Sequence, residues 1–137
     1  MGCIIALDVG TRTIGIARAQ SASGIATPHS TLSRQGVKKD TAKLVHILNE
    51  LKVELVVVGL PYELDDSEGR SARLARQIGE AIVEATGVEV QYQDERYSTV
   101  VAEEKLIASG YSGRQRKSII DQAAAAVILD DWIKAQP

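Results

Sequence analysis

Residues 3–19 read CIIALDVGTRTIGIARA, and this stretch decides the architecture of the chain. The apolar runs 3–7 and 14–19 are typical of two strands, and the Gly-Thr-Arg-Thr segment at 10–13 is predicted to be the turn that joins them. Two apolar strands joined by so short a connection favour an antiparallel pair, because parallel neighbours need a much longer crossover. The chain is therefore expected to open with a β-meander.

The rest of the chain extends this meander and then alternates helices with strands. A third strand is predicted at 24–32, where Pro28 favours an edge or bulged position because proline cannot donate a ladder hydrogen bond. Apolar spacing and β-branched runs predict the remaining elements, which are a helix at 38–51, a strand at 54–58, a helix at 71–85, a strand at 88–93, and helices at 99–109 and 118–134. This order predicts an α/β fold, with a mixed five-stranded sheet flanked by helices.

Length and composition predict one domain over residues 1–137 and exclude several functional classes. The chain is 45% apolar and 25% charged, which is typical of a globular protein. A net charge of −2 excludes a wholly basic nucleic-acid-binding protein, although a local basic patch remains possible. The single cysteine excludes an internal disulfide and a thiolate metal site. The apolar runs are too short to span a bilayer, so we expect a cytoplasmic protein without membrane association.

Acidic residues directly follow two of the predicted strands. Asp8 comes after the apolar residues 4–7, and Asp94 and Glu95 follow the strand 88–93. Ligands in open α/β sheets bind at the carboxyl ends of parallel strands, so these acids are candidates for a site. Alternation along a strand sends Asp94 and Glu95 to opposite sides, so at most one of them is expected to face a site beside Asp8. Two simpler interpretations stay open, namely Asp8 as a turn residue and Asp94 with Glu95 as an exposed charge pair.

Asp121 also has two interpretations. With Ser118 as the N-cap, Asp121 would complete a capping box at the start of the last helix. The alternative rests on a helical face whose other members are apolar, namely Ala125, Ile128 and Trp132. That face is expected to pack on the sheet, and an acid on its buried side is unusual for a cap.

Three carboxylates at the ends of elements that point toward one sheet edge predict a divalent-cation site. Mg²⁺ and Mn²⁺ prefer oxygen ligands and often bind through a few carboxylates together with a substrate phosphate. Two such ions about 4 Å apart can activate water and stabilise the leaving oxygen of a phosphodiester. The pattern therefore favours metal-assisted phosphodiester hydrolysis.

Basic residues form two local clusters. Arg114, Arg116 and Lys117 precede the last predicted helix, and Lys117 lies one turn before Asp121, where a cation could hold a phosphate. The second cluster lies along the helix at 71–85 and consists of Arg70, Arg73 and Arg76. A solvated helix face is sufficient to explain this second cluster.

Four segments carry a resemblance to a known family and span nearly the whole chain. They are DVGTRTIGIA at 8–17, VVVGLP at 56–61, DERYST at 94–99 and KSIIDQAA at 117–124. With these segments in this order, the chain resembles the YqgF/RuvX-like family of Holliday-junction resolvases, whose members are also described as pre-16S rRNA nucleases.

The resemblance implies an RNase H-like fold with Asp8, Glu95 and Asp121 as the metal-binding catalytic acids. It also implies substrate-binding roles for three basic residues, Arg12, Arg96 and Lys117. The expected cofactor is Mg²⁺ or Mn²⁺, and the expected activity is hydrolysis of nucleic-acid phosphodiesters in processing of the 5′ end of pre-16S rRNA. RNA is favoured over DNA as the partner, and either a monomer or a homodimer is compatible with the sequence.

One departure from the resolvase pattern keeps alternative functions open. Resolvases proper carry an acid at the end of the fourth strand, where this chain has Gly59, Leu60 and Pro61. Junction resolution on DNA is therefore the alternative activity. A nucleic-acid-binding factor without catalysis is a second alternative. A sugar-kinase or actin-like ATPase is a third, because an Asp-x-Gly-Thr turn also binds ATP phosphates there, but such proteins close two lobes around the nucleotide.

Overall fold

A computed structural model describes residues 2–61, 69–95 and 98–137 of the chain. These residues form five strands and four helices, which are β1 Cys3–Val9, β2 Thr13–Ala19, β3 Thr27–Ser33, α1 Val37–Leu51, β4 Val53–Leu60, α2 Arg70–Thr86, β5 Glu89–Asp94, α3 Ser98–Ala108 and α4 Gly113–Lys134. The predicted order of elements is confirmed. No helix within the described ranges combines the length and the apolar character that a membrane span requires.

The five strands form one mixed sheet in the order β3-β2-β1-β4-β5. The first three strands pair antiparallel, and β4 and β5 continue the sheet in parallel with β1. The predicted meander and the mixed sheet are thus confirmed. Pro28 lies in the edge strand β3, where the register with β2 shifts between Ile16 and Ala17, as expected for a strand that contains proline.

Helices cover both faces of the sheet, so the central strands are buried on both sides. Helices α1 and α2 pack on the face that carries Ile5, Leu7 and Val58. Helix α4 packs on the opposite face, where the side chains are smaller and include Ala6 and Ala17. Helix α3 packs against α4. Small residues on the second face let α4 approach the sheet closely.

The last helix begins at Gly113 rather than at 118, and the predicted capping box of Ser118 and Asp121 is wrong. Ser112 is the N-cap, and its side chain accepts a hydrogen bond from the Gln115 backbone N–H while the Gln115 side chain accepts from the Ser112 N–H. Ser118 instead donates its hydroxyl to the Gln115 carbonyl within the helix. Asp121 lies in the third turn, where a capping role is impossible.

The ends of β1, β4 and β5 define what we call the carboxyl edge of the sheet. Because β4 and β5 are parallel neighbours, α2 runs back across the sheet and begins at this edge. Helix α4 also begins there, since Asp121 lies against β2 beside Asp8 while Trp132 packs with Ile4 and Leu55 at the other end of the sheet. The carboxyl edge therefore collects strand ends and helix starts from the whole chain.

Candidate active site

The pleat of the sheet determines which side chains face α4. Ile4 and Ala6 of β1 pack with α4, so two-residue alternation puts Asp8 on that face as well. In β2, the same alternation from Ala17 puts Gly15 and Thr13 there. The face thus changes from apolar packing residues to polar ones as it nears the carboxyl edge.

Helix α4 contacts the backbone of β2 directly at Gly15. Gly15 is the register partner of Asp8, and a Cβ at this position would collide with the backbone oxygen of Asp121. A residue with a side chain would hold α4 away from the sheet. Glycine at 15 therefore sets the distance between Asp8 on β1 and Asp121 on α4.

The side chain of Asp121 is held by a residue without a predicted role. The Thr13 hydroxyl donates a hydrogen bond of 2.7 Å to Oδ2 of Asp121. Thr13 is the first residue of β2 and lies 108 positions away in sequence. Thr13 lies within the segment 8–17 that carries the family resemblance, and that segment and its place on the small-residue face of β2 were the available signals.

Glu95 follows β5 and is buried, with 8% of its surface exposed. Its backbone N–H donates to the Leu60 carbonyl, which extends the β4–β5 pairing by one residue. Its Oε2 atom is buried and has no hydrogen-bond partner within the described part of the chain. Asp94 is exposed, so Glu95 is the buried member of this pair of acids.

The space that Glu95 occupies exists because β4 carries glycine beside it. A Cβ at Gly59 would lie 2.7 Å from Cγ of Glu95 and 2.6 Å from Cδ1 of Ile128. At the position where resolvases proper are expected to carry an acid, this chain has no side chain on the α4 face. The side chain of Glu95, through its Cγ, and that of Ile128 occupy this volume instead.

Burial and mutual repulsion raise the pKa values of two of the acids. Burial, together with the negative charge of Asp121, raises the pKa of Asp8 to about 6. Burial raises the pKa of Glu95 to about 7, with hydrogen bonds from Ser98 lowering it and the charge of Asp8 raising it. Asp8 is thus electrostatically coupled to both other acids. Such raised pKa values are typical of carboxylates whose negative charge is not neutralised by a neighbouring cation, and they occur often at functional sites.

The donor chemistry of the acids fits a divalent metal ion. All candidate ligands are carboxylate oxygens, which suit Mg²⁺ or Mn²⁺, and Oε2 of Glu95 has no hydrogen-bond partner among the residues that the structure describes. Within residues 2–61, 69–95 and 98–137, no three His, Cys, Asp or Glu side chains already lie close enough to enclose an ion. The charge of Asp121 acts on Asp8, and the charge of Asp8 acts on Glu95. One carboxylate oxygen of Asp121 already accepts a hydrogen bond from Thr13.

Two of the three predicted substrate-binding residues lie on elements that also carry or precede these acids. Arg12 is exposed in the β1–β2 turn, and Lys117 is exposed one helical turn before Asp121 on α4. Arg96 lies outside the described residues. Arg114 is exposed, whereas Arg116 forms an ion pair of 2.7 Å with Glu103 of α3 and so fixes α3 to α4. Two of the three predicted cations are thus exposed at the carboxyl edge.

A buried ion pair that the sequence did not reveal supports the β1–β2 turn. Arg34 Nε lies 2.9 Å from Oδ2 of Asp40, whose side chain is fully buried, and the Arg34 guanidinium donates to the Gly10 carbonyl at 3.0 Å. The Arg34 backbone N–H donates to the Arg12 carbonyl. This pair joins the start of α1 to the turn that carries Arg12.

Comparison with known sequences identifies relatives over almost the whole chain. A family model described as "RuvX: Holliday junction resolvase" matches residues 2–135. A protein of Anaeromyxobacter sp. named "Putative pre-16S rRNA nuclease" is 42% identical over 129 residues, which cover 94% of each chain. A protein of Picosynechococcus sp. with the same name is 34% identical over 132 residues, covering 96% of this chain and 92% of the relative.

Solved structures with the same fold include Holliday junction resolvases. RuvC of T. thermophilus in complex with a Holliday junction substrate aligns with a TM-score of 0.62 at 13% identity, covering 98% of each chain. The fowlpox virus Holliday junction resolvase aligns with a TM-score of 0.61 at 11% identity, covering 98% of this chain and 99% of the viral one. The predicted RNase H-like fold and the prediction of a nuclease are confirmed by these comparisons, and the chain belongs to the RuvX family.

Proposed function

We propose that this protein is a divalent-metal-dependent nuclease that uses Asp8, Glu95 and Asp121 to hydrolyse a phosphodiester bond in the 5′ region of pre-16S rRNA. The observation that carries the proposal is the electrostatic coupling of Asp8 to both Asp121 and Glu95 at the carboxyl edge, with one Glu95 oxygen left unpartnered. Repulsion between buried acids is costly without a counter-cation. A bound cation would remove that cost.

The three acids would divide the chemistry according to their surroundings. Asp8 and Asp121 would hold the metal, which when bound polarises the phosphate and lowers the pKa of a coordinated water. Glu95 would complete the ligand set or orient the attacking water through Oε2, which no protein donor occupies in the described residues. Thr13 would keep Asp121 in position through its 2.7 Å hydrogen bond.

Positive side chains around the acids would hold the substrate. Lys117 lies one turn before Asp121, and Arg12 lies in the turn directly after β1, so both flank a phosphate bound at the acids. Arg96 follows Glu95 in sequence and is assigned to the same role. These cations would neutralise charge that develops on the phosphate during hydrolysis.

Two features bear on the choice between RNA and a four-way DNA junction. The relatives' names indicate pre-16S rRNA, whereas the description of the family model indicates junction resolution. Gly59 leaves β4 without an acid at the site, and the space that a side chain at 59 would need is filled by Glu95 and Ile128. This difference from the resolvase pattern favours RNA as the substrate.

The test is a cleavage assay with labelled 5′-extended 16S rRNA precursor and a synthetic four-way junction. We expect wild-type protein to cut the RNA with Mn²⁺ or Mg²⁺ and to stop cutting in EDTA. The Asp8→Asn variant should cut at least about 100-fold more slowly. Glu50→Gln, an equivalent neutralisation of an exposed acid at the end of α1, is the matched control and should cut normally.

Each other outcome contradicts a specific part of the proposal. Retained metal-dependent cutting by Asp8→Asn would remove the three acids from the catalytic site. Cutting of the junction alone would replace RNA processing by junction resolution. Metal-independent binding without cutting of either substrate would leave a non-catalytic nucleic-acid-binding factor.

A further inference from the structure

The first half of α2 carries only positive charge among its ionisable groups. From Gly69 to Gly79 it contains Arg70, Arg73 and Arg76, and the first acid of the helix is Glu80. Arg70 and Arg73 are exposed and one turn apart, and with Gln77 they share one helical face. We call Arg70, Arg73 and Arg76 the α2 arginine stripe.

The stripe lines a surface depression and is held on a rigid support. The depression has a volume of about 490 Å³ and is lined by Arg70, Arg73, Leu74, Arg76, Gln77 and Glu80. The Arg76 guanidinium lies 4.9 Å from the centre of the Tyr92 ring on β5. The opposite face of α2 is fully buried against the sheet at Ala72, Ala75 and Ile78. The helix backbone that carries the stripe is therefore held on the sheet, and Arg76 is held on Tyr92, while Arg70 and Arg73 are exposed to solvent.

The position of the stripe relates it to the acids. Helix α2 begins at the carboxyl edge, and its N-cap Gly69 has no side-chain capping bond, so the positive end of the helix dipole adds to the arginine charge there. Tyr92, which contacts Arg76, lies on β5, three residues before Glu95 in the sequence. The stripe lies on α2, and Lys117 lies on α4, which packs on the opposite face of the sheet.

We propose that the α2 arginine stripe is a second contact site for the phosphodiester backbone, which holds the substrate strand several nucleotides from the bond that is cut. This inference rests on the proposed nuclease function and extends its substrate contacts to a surface outside the acid site. Arg70 and Arg73 pair with phosphate oxygens, and Gln77 continues the same face over about 10 Å. Such contacts add affinity and salt dependence without sequence preference.

The experiment measures binding of a fluorescent RNA hairpin with a single-stranded 5′ extension, in EDTA, over about 50 to 200 mM salt. For Arg70→Gln/Arg73→Gln, we expect about tenfold weaker binding and a salt slope reduced by about 1.4 to 1.8, because each lost phosphate contact removes about 0.7 to 0.9. Arg70→Lys/Arg73→Lys should keep the wild-type slope. Thermal unfolding verifies that all variants are folded.

The matched control removes two exposed charges at the opposite end of the sheet, as Lys52→Gln/Lys134→Gln. It should bind within about twofold of wild type with an unchanged slope. An unchanged slope in Arg70→Gln/Arg73→Gln, or an equal loss in the control, would overturn the inference.

Single-turnover cleavage separates this inference from the proposed function. For Arg70→Gln/Arg73→Gln, the protein concentration at half-saturation should rise about tenfold while the rate at saturation stays unchanged. A fall in the saturated rate alone would contradict a role restricted to binding. Wild-type protein that binds with the expected slope but never cuts would contradict the nuclease proposal and leave the stripe as a binding site.

Discussion

At the scale of single residues, the site depends on acids placed where their charge is unfavourable. Asp8 and Glu95 have pKa values raised to about 6 and about 7, chiefly by burial. The same burial is what makes them useful, because a cation bound among poorly solvated carboxylates is attracted more strongly than in water. Stability and function therefore oppose each other at these positions.

The first prediction is a pH-dependent stabilisation by Asp8→Asn. The pKa of Asp8 rises from 3.8 to about 6 on folding, so the folded state binds more protons, and the metal-free protein loses stability as pH rises from about 4 to 7. The variant lacks this titration and should equal wild type near pH 4 but exceed it above pH 7. Urea unfolding in EDTA across this pH range measures the difference.

The control for this prediction is Glu50→Gln, whose exposed carboxyl should give no comparable pH-dependent difference. Adding Mn²⁺ should reverse the order above pH 7, because wild type gains binding energy that Asp8→Asn cannot. A variant that is less stable than wild type in EDTA at high pH would show that Asp8 is stabilised by an unrecognised partner.

At the scale of elements, the critical contact is between β2 and α4. Gly15 brings the helix against the strand, and Thr13 on the same strand hydrogen-bonds Asp121 on the helix. The predicted apolar face of the last helix is confirmed, since Ala125, Ile128 and Trp132 are buried on the sheet. The predicted start of that helix was wrong, because the capping box of Ser112 and Gln115 begins the helix at Gly113 rather than at 118.

The second prediction is that Gly15→Ala disrupts the site by displacing α4. The new Cβ would collide with backbone, which cannot rotate away, so we expect a loss of about 1 to 3 kcal/mol in unfolding free energy. Cleavage should fall more than binding, because Asp121 moves relative to Asp8. The control is Gly113→Ala at the start of the same helix, where the nearest atom to a Cβ is a flexible Arg116 nitrogen at 3.8 Å. Equal activity of the two variants would contradict the close-contact argument.

The third prediction concerns the Arg34–Asp40 pair that joins β3, α1 and the β1–β2 turn. Asp40→Asn leaves the Arg34 charge without its buried partner, so we expect a loss of about 3 to 5 kcal/mol in urea unfolding. Asp130→Asn breaks the exposed Lys134–Asp130 pair and should cost at most about 1 kcal/mol. Similar losses in the two variants would mean that the buried pair does not support the turn.

At the scale of the whole molecule, a chain with net charge −2 exposes several cations near its three partly or fully buried acids. The carboxyl edge carries exposed cations from the β1–β2 turn and from three helices, among them Arg12, Lys39, Arg73 and Lys117. The opposite end carries exposed acids at the helix ends and strand starts, including Glu54 and Glu89. The exposed cations favour approach of a polyanion to the edge that holds the acids.

Local patterns in the sequence were sufficient to predict the element order, the mixed sheet and the strand-end position of Asp8 and Glu95. They succeeded because periods of two and of about 3.6 residues record which face of each element is buried. The packing face of α4 was predictable for the same reason, and its first residue was mispredicted although the Ser112–Gln115 capping pattern marks it in the sequence.

Only the tertiary structure decided which residues meet across elements. The contacts of Gly15 with Asp121, Gly59 with Glu95, and Arg34 with Asp40 depend on strand register and on the distance between layers. Thr13 and Asp121 are 108 positions apart, and no local period links them. Burial then raised the pKa of Asp8 and Glu95, which is a property of the surrounding protein rather than of their neighbours in sequence. The sequence thus determined where the acids lie on their elements, and packing determined how they act together.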